Sequence, residues 1–177
     1  MTCIVAVVNK GTVYMGADSL GAAQSHILTR KDPKVFVRKP FVFGFTSSFR
    51  MGQLLAHSLR VPCLPKKGIT YKWMCTEFID AVRKCLGEGG WKIKKDEQER
   101  GGTFLVGIAG QLFEIEGDFQ VGIPGYDYAA VGCGQSYAKG SLYSTKHSQP
   151  RIRIRKALEA AEEFSGWVRR PFRIVKI

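Results

Sequence analysis

The sequence has no apolar run long enough to cross a lipid bilayer and no recognisable export signal. Its apolar first eight residues end at Asn9, Lys10 and Gly11, and no basic segment precedes them. A transmembrane helix needs about 20 predominantly apolar residues, and a secretory signal needs a basic segment ahead of its apolar stretch. We therefore expect a cytoplasmic protein without a membrane segment.

The usual sequence patterns of metal sites, disulfide frameworks and serine hydrolases are also missing. The five cysteines form an odd set without CxxC spacing, and only three histidines accompany them. Zinc sites and disulfide frameworks need regularly spaced ligands, and an α/β-hydrolase triad needs a GxSxG turn. The sequence predicts a reduced compartment, no structural zinc and no cofactor.

Acidic residues are scarce relative to basic ones. Lys and Arg number 27 against 15 Asp and Glu, which gives a net charge of +12. Such an excess makes a polyanion a candidate partner, but no RNA-binding motif with interleaved aromatic residues accompanies it. Half of the excess lies in residues 146–177. A solvated face or a charged subunit contact is the favoured interpretation, and nucleic acid binding is the weaker alternative.

The composition is that of an ordinary globular protein. Hydrophobic residues make up 45% and charged residues 24% of 177 residues. This length suffices for one substantial hydrophobic core. We expect a single domain over residues 1–177.

Hydrophobic periodicity predicts an order of elements that a parallel βαβ fold does not have. Strands are expected at residues 2–8, 12–18, 34–38, 41–45, 103–109, 111–116, 126–131 and 171–177. Helices are expected at residues 48–59, 70–86, 135–145 and 155–164, and an exposed loop at residues 92–100. Strands that precede helices in this order are typical of stacked antiparallel sheets covered by helices.

Several short segments, taken together, resemble the proteasome β subunits and the HslV-like bacterial proteases. They are Thr2, Ala17-Asp18-Ser19, Lys34-Val35-Phe36, and the segments GTFLVG at 102–107 and AVGCG at 130–134. In those families an N-terminal threonine is followed by an aspartate sixteen residues on and a lysine thirty-two residues on, as Thr2 is here by Asp18 and Lys34. The resemblance implies an α+β fold, the four-layer αββα sandwich of the N-terminal nucleophile (Ntn) hydrolases.

The same resemblance implies catalytic roles for particular residues. Thr2, exposed once Met1 is removed, is the expected nucleophile, and its own α-amino group is the general base. Lys34 is expected to lower the pKa of that amine, and Asp18 to hold Lys34. A backbone N–H at Ser48 is the expected oxyanion donor, at a position where the families have glycine. Arg50 lies near enough in the sequence to favour an acidic or polar group in the substrate pocket.

Two further positions depart from the family pattern. Cys133 stands where the families have a serine near the terminal amine, and Glu162 with Ser165 stands where they have an Asp-x-x-Ser pair. A thiol is a weaker hydrogen-bond donor than a hydroxyl. Cys3, next to Thr2 in a strand, is expected to face the opposite way and to belong to the core.

Besides the weaker alternative of nucleic acid binding, the sequence leaves three functions open. The leading hypothesis is a threonine protease that works as a homo-oligomer, a subunit of a stacked ring, on peptides or unfolded proteins, with an ATPase unfoldase as a possible partner. A smaller oligomer that hydrolyses a small amide is a variant of it. The alternative is a catalytically inactive structural or assembly protein of the same fold, suggested by Cys133 and Glu162.

Overall fold

Two antiparallel sheets form the centre of the protein. The computed structural model describes residues 2–23 and 26–177, except the side chains of residues 22 and 23. The first sheet contains β1 (Cys3–Asn9), β2 (Thr12–Ala17), β12 (Tyr128–Gly132) and β13 (Arg173–Lys176), in the order β12-β1-β2-β13. The second contains β5 (Val35–Arg38), β6 (Phe41–Phe45), β9 (Phe104–Ile108), β10 (Gln111–Ile115) and β11 (Val121–Gly122), in the order β11-β10-β9-β6-β5.

Two short ribbons project from these sheets. One pairs β3 (Leu20–Ala23) with β4 (His26–Thr29), and the other pairs β7 (Ile93–Lys95) with β8 (Gln98–Arg100). The predicted loop at residues 92–100 is therefore wrong. Asp96 and Glu97 both have positive φ, of 50° and 65°, which is what a tight two-residue hairpin turn requires. The hairpin was not predicted because the many charged residues of the segment are typical of an exposed loop.

Helices cover the outer face of each sheet. The second sheet is covered by α1 (Phe49–His57), α2 (Tyr71–Trp73) and α3 (Ile79–Glu88), the last two joined by a π-helical turn at Met74–Phe78. The first sheet is covered by α4 (Gln135–Ser144) and α5 (Pro150–Phe164). The latter begins five residues earlier than predicted because Pro150 is accommodated in its first turn.

Three hydrophobic clusters separate these four layers. One lies between α1–α3 and the second sheet, one between the two sheets, and one between the first sheet and the helices α4 and α5. Strand β1 is buried on both faces, with Cys3 and Val5 toward α5 and Ile4 toward the second sheet. The structure confirms the predicted αββα sandwich of two antiparallel sheets. No helix in the described ranges is long and apolar enough to cross a membrane.

Candidate active site

Three of the predicted residues meet at one end of the two sheets. Thr2 directly precedes β1, Asp18 follows the end of β2, and Lys34 precedes β5. Strands β1 and β2 form a hairpin, so their outer ends lie side by side and bring Asp18 beside the start of the chain. All three residues are buried, with exposed fractions of 4%, 1% and 2% in sequence order.

The carboxylate of Asp18 organises this end of the fold. Both of its oxygens lie 3.0 Å from Lys34 Nζ. Its Oδ1 also accepts a hydrogen bond from the backbone N–H of Cys3, the amide that joins Thr2 to Cys3, at 3.0 Å. Its Oδ2 accepts from the N–H groups of Leu20 at 3.0 Å and Arg169 at 3.4 Å. A buried carboxylate with this many donors is held in one position.

Lys34 is a buried cation with one carboxylate partner. Burial lowers the pKa of Lys34 below the usual lysine value, and the negative charge of Asp18 opposes that shift. The Nζ also lies 5.8 Å from the centroid of the Phe49 ring, at the beginning of α1. The ammonium group is therefore fixed by its surroundings and is easier to deprotonate than that of a surface lysine.

The turn after β12 closes against the backbone of Thr2. The N–H of Gly134 donates to the carbonyl oxygen of Thr2 at 3.4 Å. Gly132 has φ of 97°, and a Cβ placed on it would lie 2.3 Å from that same oxygen. Gly132 is therefore required both for its conformation and for the close approach of Thr2. This requirement explains the glycine that precedes Cys133.

Two cysteines accompany the site, but in different environments. Cys133 is exposed, in the turn whose Gly134 N–H contacts the carbonyl of Thr2. Cys3 is fully buried, and burial raises the pKa of its thiol to about 12, with a further contribution from Asp18. The prediction that Cys3 belongs to the core is confirmed, since it packs in the cluster beneath α5.

The segment between β6 and α1 lies beside this turn, and its backbone donors are used unequally. Ser48 caps α1, and its side chain accepts a hydrogen bond from the N–H of Arg50. The backbone N–H of Ser48 donates to the carbonyl oxygen of Thr46 at 2.7 Å. Ser47 has φ of 65° and accepts from the N–H of Thr103 through its hydroxyl. Within the described ranges the N–H of Ser47 has no hydrogen-bond acceptor.

The remaining two predicted residues take part in other contacts. Glu162 accepts from the backbone N–H and the guanidinium of Arg170, both at 2.8 Å, and this pairing lowers its pKa. Ser165 is 9% exposed, and its hydroxyl accepts from the N–H of Trp167 at 3.3 Å. Sequence patterns did not reveal the hydrogen bond from the backbone N–H of Arg169 to Asp18, because a backbone donor has no characteristic side chain.

A cavity of about 290 Å³ is lined in part by Asp32 and Pro33, which directly precede Lys34, although Asp18 and Lys34 are not among its lining residues. Its walls are mainly apolar and include Phe36, Phe45 and Phe49. Asp32 pairs with Arg30, whose guanidinium lies 3.9 Å from the centroid of the Phe49 ring. Arg50 donates to the carbonyl of Gly89 and is not among the lining residues of this cavity, and its effect on a substrate pocket stays a prediction.

Comparison with known proteins places this fold in a structural class. The sequence matches no protein-family model and no curated protein. Its structure, however, matches solved structures over nearly the whole chain, and the class defined by the matches is the proteasome β-subunit and HslV type of Ntn fold. The resemblance inferred from the sequence is thus confirmed at the level of the fold.

Three solved structures illustrate the match. BPH from Thiobacillus denitrificans, determined in complex with epoxomicin, is similar with a TM-score of 0.79 and 16% identity, over 99% of this chain and 98% of that one. HslV from Trypanosoma brucei has a TM-score of 0.69 and 18% identity, over 99% and 98%. Anbu from Yersinia bercovieri has a TM-score of 0.69 and 16% identity, over 99% and 81%.

Proposed function

We propose that this chain is a threonine peptidase that hydrolyses peptide bonds through Thr2 after removal of Met1. The observation that carries the proposal is the buried Asp18–Lys34 pair, whose carboxylate also holds the amide between Thr2 and Cys3. A buried ion pair is costly to desolvate and adds little to stability, so its position at the start of β1 favours a catalytic role. Met1 itself lies outside the described residues.

The mechanism follows from a terminal hydroxyl and amine on the same residue. The Thr2 Oγ attacks the carbonyl carbon of the scissile bond while its proton passes to the α-amino group, whose unperturbed pKa is about 8. The ammonium of Lys34 disfavours protonation of that amine, which keeps it available as a base near neutral pH. Collapse of the tetrahedral intermediate returns the proton to the leaving amine and forms an ester, which water then hydrolyses.

The negative charge on the tetrahedral oxygen requires a hydrogen-bond donor. The sequence-based proposal was the N–H of Ser48, but that group is donated to Thr46. The N–H of Ser47 has no acceptor within the described part of the chain, and the left-handed conformation of Ser47 sets its direction. We assign the oxyanion donor to Ser47, with Ser48 available only if its bond to Thr46 breaks.

The cavity lined by Phe49, whose ring lies 5.8 Å from Lys34 Nζ, supports a preference for apolar side chains near the scissile bond. Its aromatic walls offer little to an acidic group, and the guanidinium of Arg38, which also lines it, donates to the carbonyl of Leu55. Cleavage of a peptide library tests this preference, and enrichment of acidic residues at that position would contradict it. As part of the same proposal, the chain acts as one domain in a cytoplasmic homo-oligomeric ring, supplied with unfolded protein by an ATPase unfoldase.

The decisive experiment is the intact mass of the purified protein before and after incubation with an epoxyketone or a β-lactone. The proposal predicts loss of Met1 and a one-to-one adduct that is absent in Thr2→Ala. Retained Met1 and no adduct would instead support the inactive structural protein, which the Arg170–Glu162 pair and the occupied N–H of Ser48 favour. An adduct without cleavage of any peptide would support the small-amide hydrolase.

A further inference from the structure

The two faces of the ribbon formed by β7 and β8 carry different side chains. Directly opposite residues of an antiparallel pair share a face, and successive residues of a strand alternate between faces. The inner face, which is turned toward α3, carries Lys94 and Glu99. The outer face of the ribbon carries four exposed residues, Ile93, Lys95, Gln98 and Arg100.

The inner face is anchored to the body of the protein by ion pairs. Glu99 accepts from Arg83 Nε on α3 and from Lys92 Nζ, both at 2.7 Å. Hydrogen bonds from these two cations lower the pKa of Glu99 to about 2, so both pairs persist at neutral pH. Lys94 pairs with Glu97 at 2.6 Å. The ribbon is therefore held in one orientation, and the charges of its inner face already have partners.

The cations of the outer face have no such partners. Within the part of the chain that the structure describes, neither Lys95 nor Arg100 forms an ion pair. The two lie diagonally across the ribbon and line a cavity of about 210 Å³, together with Ile93, Asp96 and Gln98. Ile93 is 63% exposed. The cavity thus offers two unpaired cations beside an apolar side chain, with one opposing charge from Asp96 in the turn.

The ribbon leaves the sandwich beside the candidate active site. Two residues after Arg100, Gly102 packs so closely on Ser47 that a Cβ on Gly102 would lie 2.8 Å from the Ser47 Cβ. The N–H of Thr103 donates to the hydroxyl of the same serine. Ser47 is the assigned oxyanion donor. An extended chain whose scissile carbonyl lies at Ser47 therefore reaches Arg100 within about four to six residues, at about 3.3 Å per residue.

We propose that the outer face of the ribbon binds acidic side chains of an extended peptide substrate, away from the scissile bond. The inference rests on the proposed function and names its substrate class, which is peptides with an apolar residue near the cleavage point and an acidic segment further along the chain. Carboxylates complement Lys95 and Arg100, and their aliphatic stems complement Ile93.

Single-stranded nucleic acid fits this face less well than an acidic peptide. Its binding sites combine cations with aromatic side chains on which the bases stack. Among the described residues that line the cavity there is no aromatic side chain, and Asp96 would repel a continuous row of phosphates. The mixed character of the face favours separate carboxylates on a flexible chain.

Binding to the Thr2→Ala variant tests this site independently of catalysis. The probe is a fluorescein-labelled peptide of about twelve residues, with a central leucine and a run of glutamates at its N-terminal or its C-terminal end. The comparison peptide has glutamines in their place. In one of the two orientations the acidic peptide should bind at least about fivefold more tightly than the glutamine peptide, as measured by fluorescence anisotropy at low salt. The added substitutions K95E/R100E should abolish this preference.

A matched control separates the site from a general effect of charge. Lys66→Glu/Lys67→Glu makes the same change in net charge on an exposed loop and should keep the preference for the acidic peptide. That loop lies at the other end of the sandwich, where the carbonyl of Ile69 accepts from the side chain of Gln111 at the beginning of β10. Circular dichroism should show the same unfolding temperature for K95E/R100E as for the parent protein, because both side chains are exposed and unpaired.

Three results would overturn the proposal. They are equal binding of the acidic and glutamine peptides in both orientations, an undiminished preference in K95E/R100E, and tighter binding of an oligothymidylate of similar length. Cleavage of the same peptides by the protein with Thr2 intact reports on the peptidase separately. Selective binding without cleavage supports the site and contradicts the peptidase, whereas cleavage without selective binding contradicts the site alone.

Discussion

Asp18 and Lys34 are joined by two equal contacts of 3.0 Å, one from each carboxylate oxygen to the same Nζ, in a place where neither side chain is more than 1% exposed. Removing one partner leaves the other buried, with neither an ion pair nor water to solvate it. We expect Asp18→Ala to lower the free energy of unfolding by about 3–5 kcal/mol, since it leaves a buried ammonium and three unpaired N–H groups. Urea denaturation followed by circular dichroism measures the loss.

The double variant Asp18→Ala/Lys34→Met is the control for that measurement. It removes both charges, so it should recover part of the stability lost in the single variant. Neither variant should form an adduct at Thr2. Equal destabilisation in the single and double variants would show that the charge of Lys34 is not the source of the effect.

The lowered pKa of Lys34 predicts an alkaline limit to activity. As pH rises through the folded-state pKa of Lys34, which lies below the usual value of 10.5, the ammonium becomes neutral and no longer stabilises the negative charge that develops on the attacking Thr2 oxygen. As the pH is raised, the rate of adduct formation should therefore begin to decline before pH 10.5 is reached. Asp18 raises the pKa of Lys34, so in Asp18→Asn the falling limb should move to lower pH. An unmoved limb would exclude Lys34 as the titrating group.

Gly132 should tolerate no side chain. Gly132→Ala forces a non-glycine residue to φ near 97° and sets its Cβ against the carbonyl oxygen of Thr2. We expect a loss of about 3 kcal/mol or more in the free energy of unfolding and no adduct at Thr2. Gly140→Ala on α4 is the matched control, because its Cβ meets nothing within 4 Å and alanine favours the helix by about 0.5–1 kcal/mol.

The thiol of Cys133 offers a chemical probe of the site. Iodoacetamide at pH 8 should modify the exposed Cys63, Cys75 and Cys133 and spare the buried Cys3 and Cys85. Modification of Cys133 should slow adduct formation at Thr2 at least about tenfold, because the added group occupies the turn beside Thr2. Cys133→Ser, still modified at the other two exposed cysteines, should keep its rate. An undiminished rate in the modified parent protein would place Cys133 outside the site.

The sequence was sufficient for the layers of the fold and for the central pair of the site. Alternation and helical spacing are strong signals where a face is buried, as in β1 and α1, and the register of Thr2, Asp18 and Lys34 added to them. These features depend on side-chain type, which the sequence records directly. The predicted antiparallel sandwich is therefore confirmed, and the contact of Asp18 with Lys34 was expected.

The details that the sequence missed depend on the backbone. Strands β7 and β8 were not predicted because the turn between them has positive φ at Asp96 and Glu97, where the sequence has no glycine to indicate a turn. The engagement of the Ser48 N–H with Thr46 follows from the turn at Ser47, and the pairing of Glu162 with Arg170 depends on how the segment after α5 folds back. Such choices are settled by tertiary packing and have no local pattern.

The N–H of Arg169 reaches Asp18 across 151 positions of the chain, and the carbonyls of Arg169 and Pro171 receive the N–H and the hydroxyl of Ser19. During synthesis, the loop that carries Asp18 leaves the ribosome long before these partners exist. The candidate site is therefore assembled last, when the segment after α5 docks against it and β13 pairs with β2. A nascent chain therefore cannot hold the complete candidate site before residues 169–171 have been synthesised and have docked beside Asp18 and Ser19.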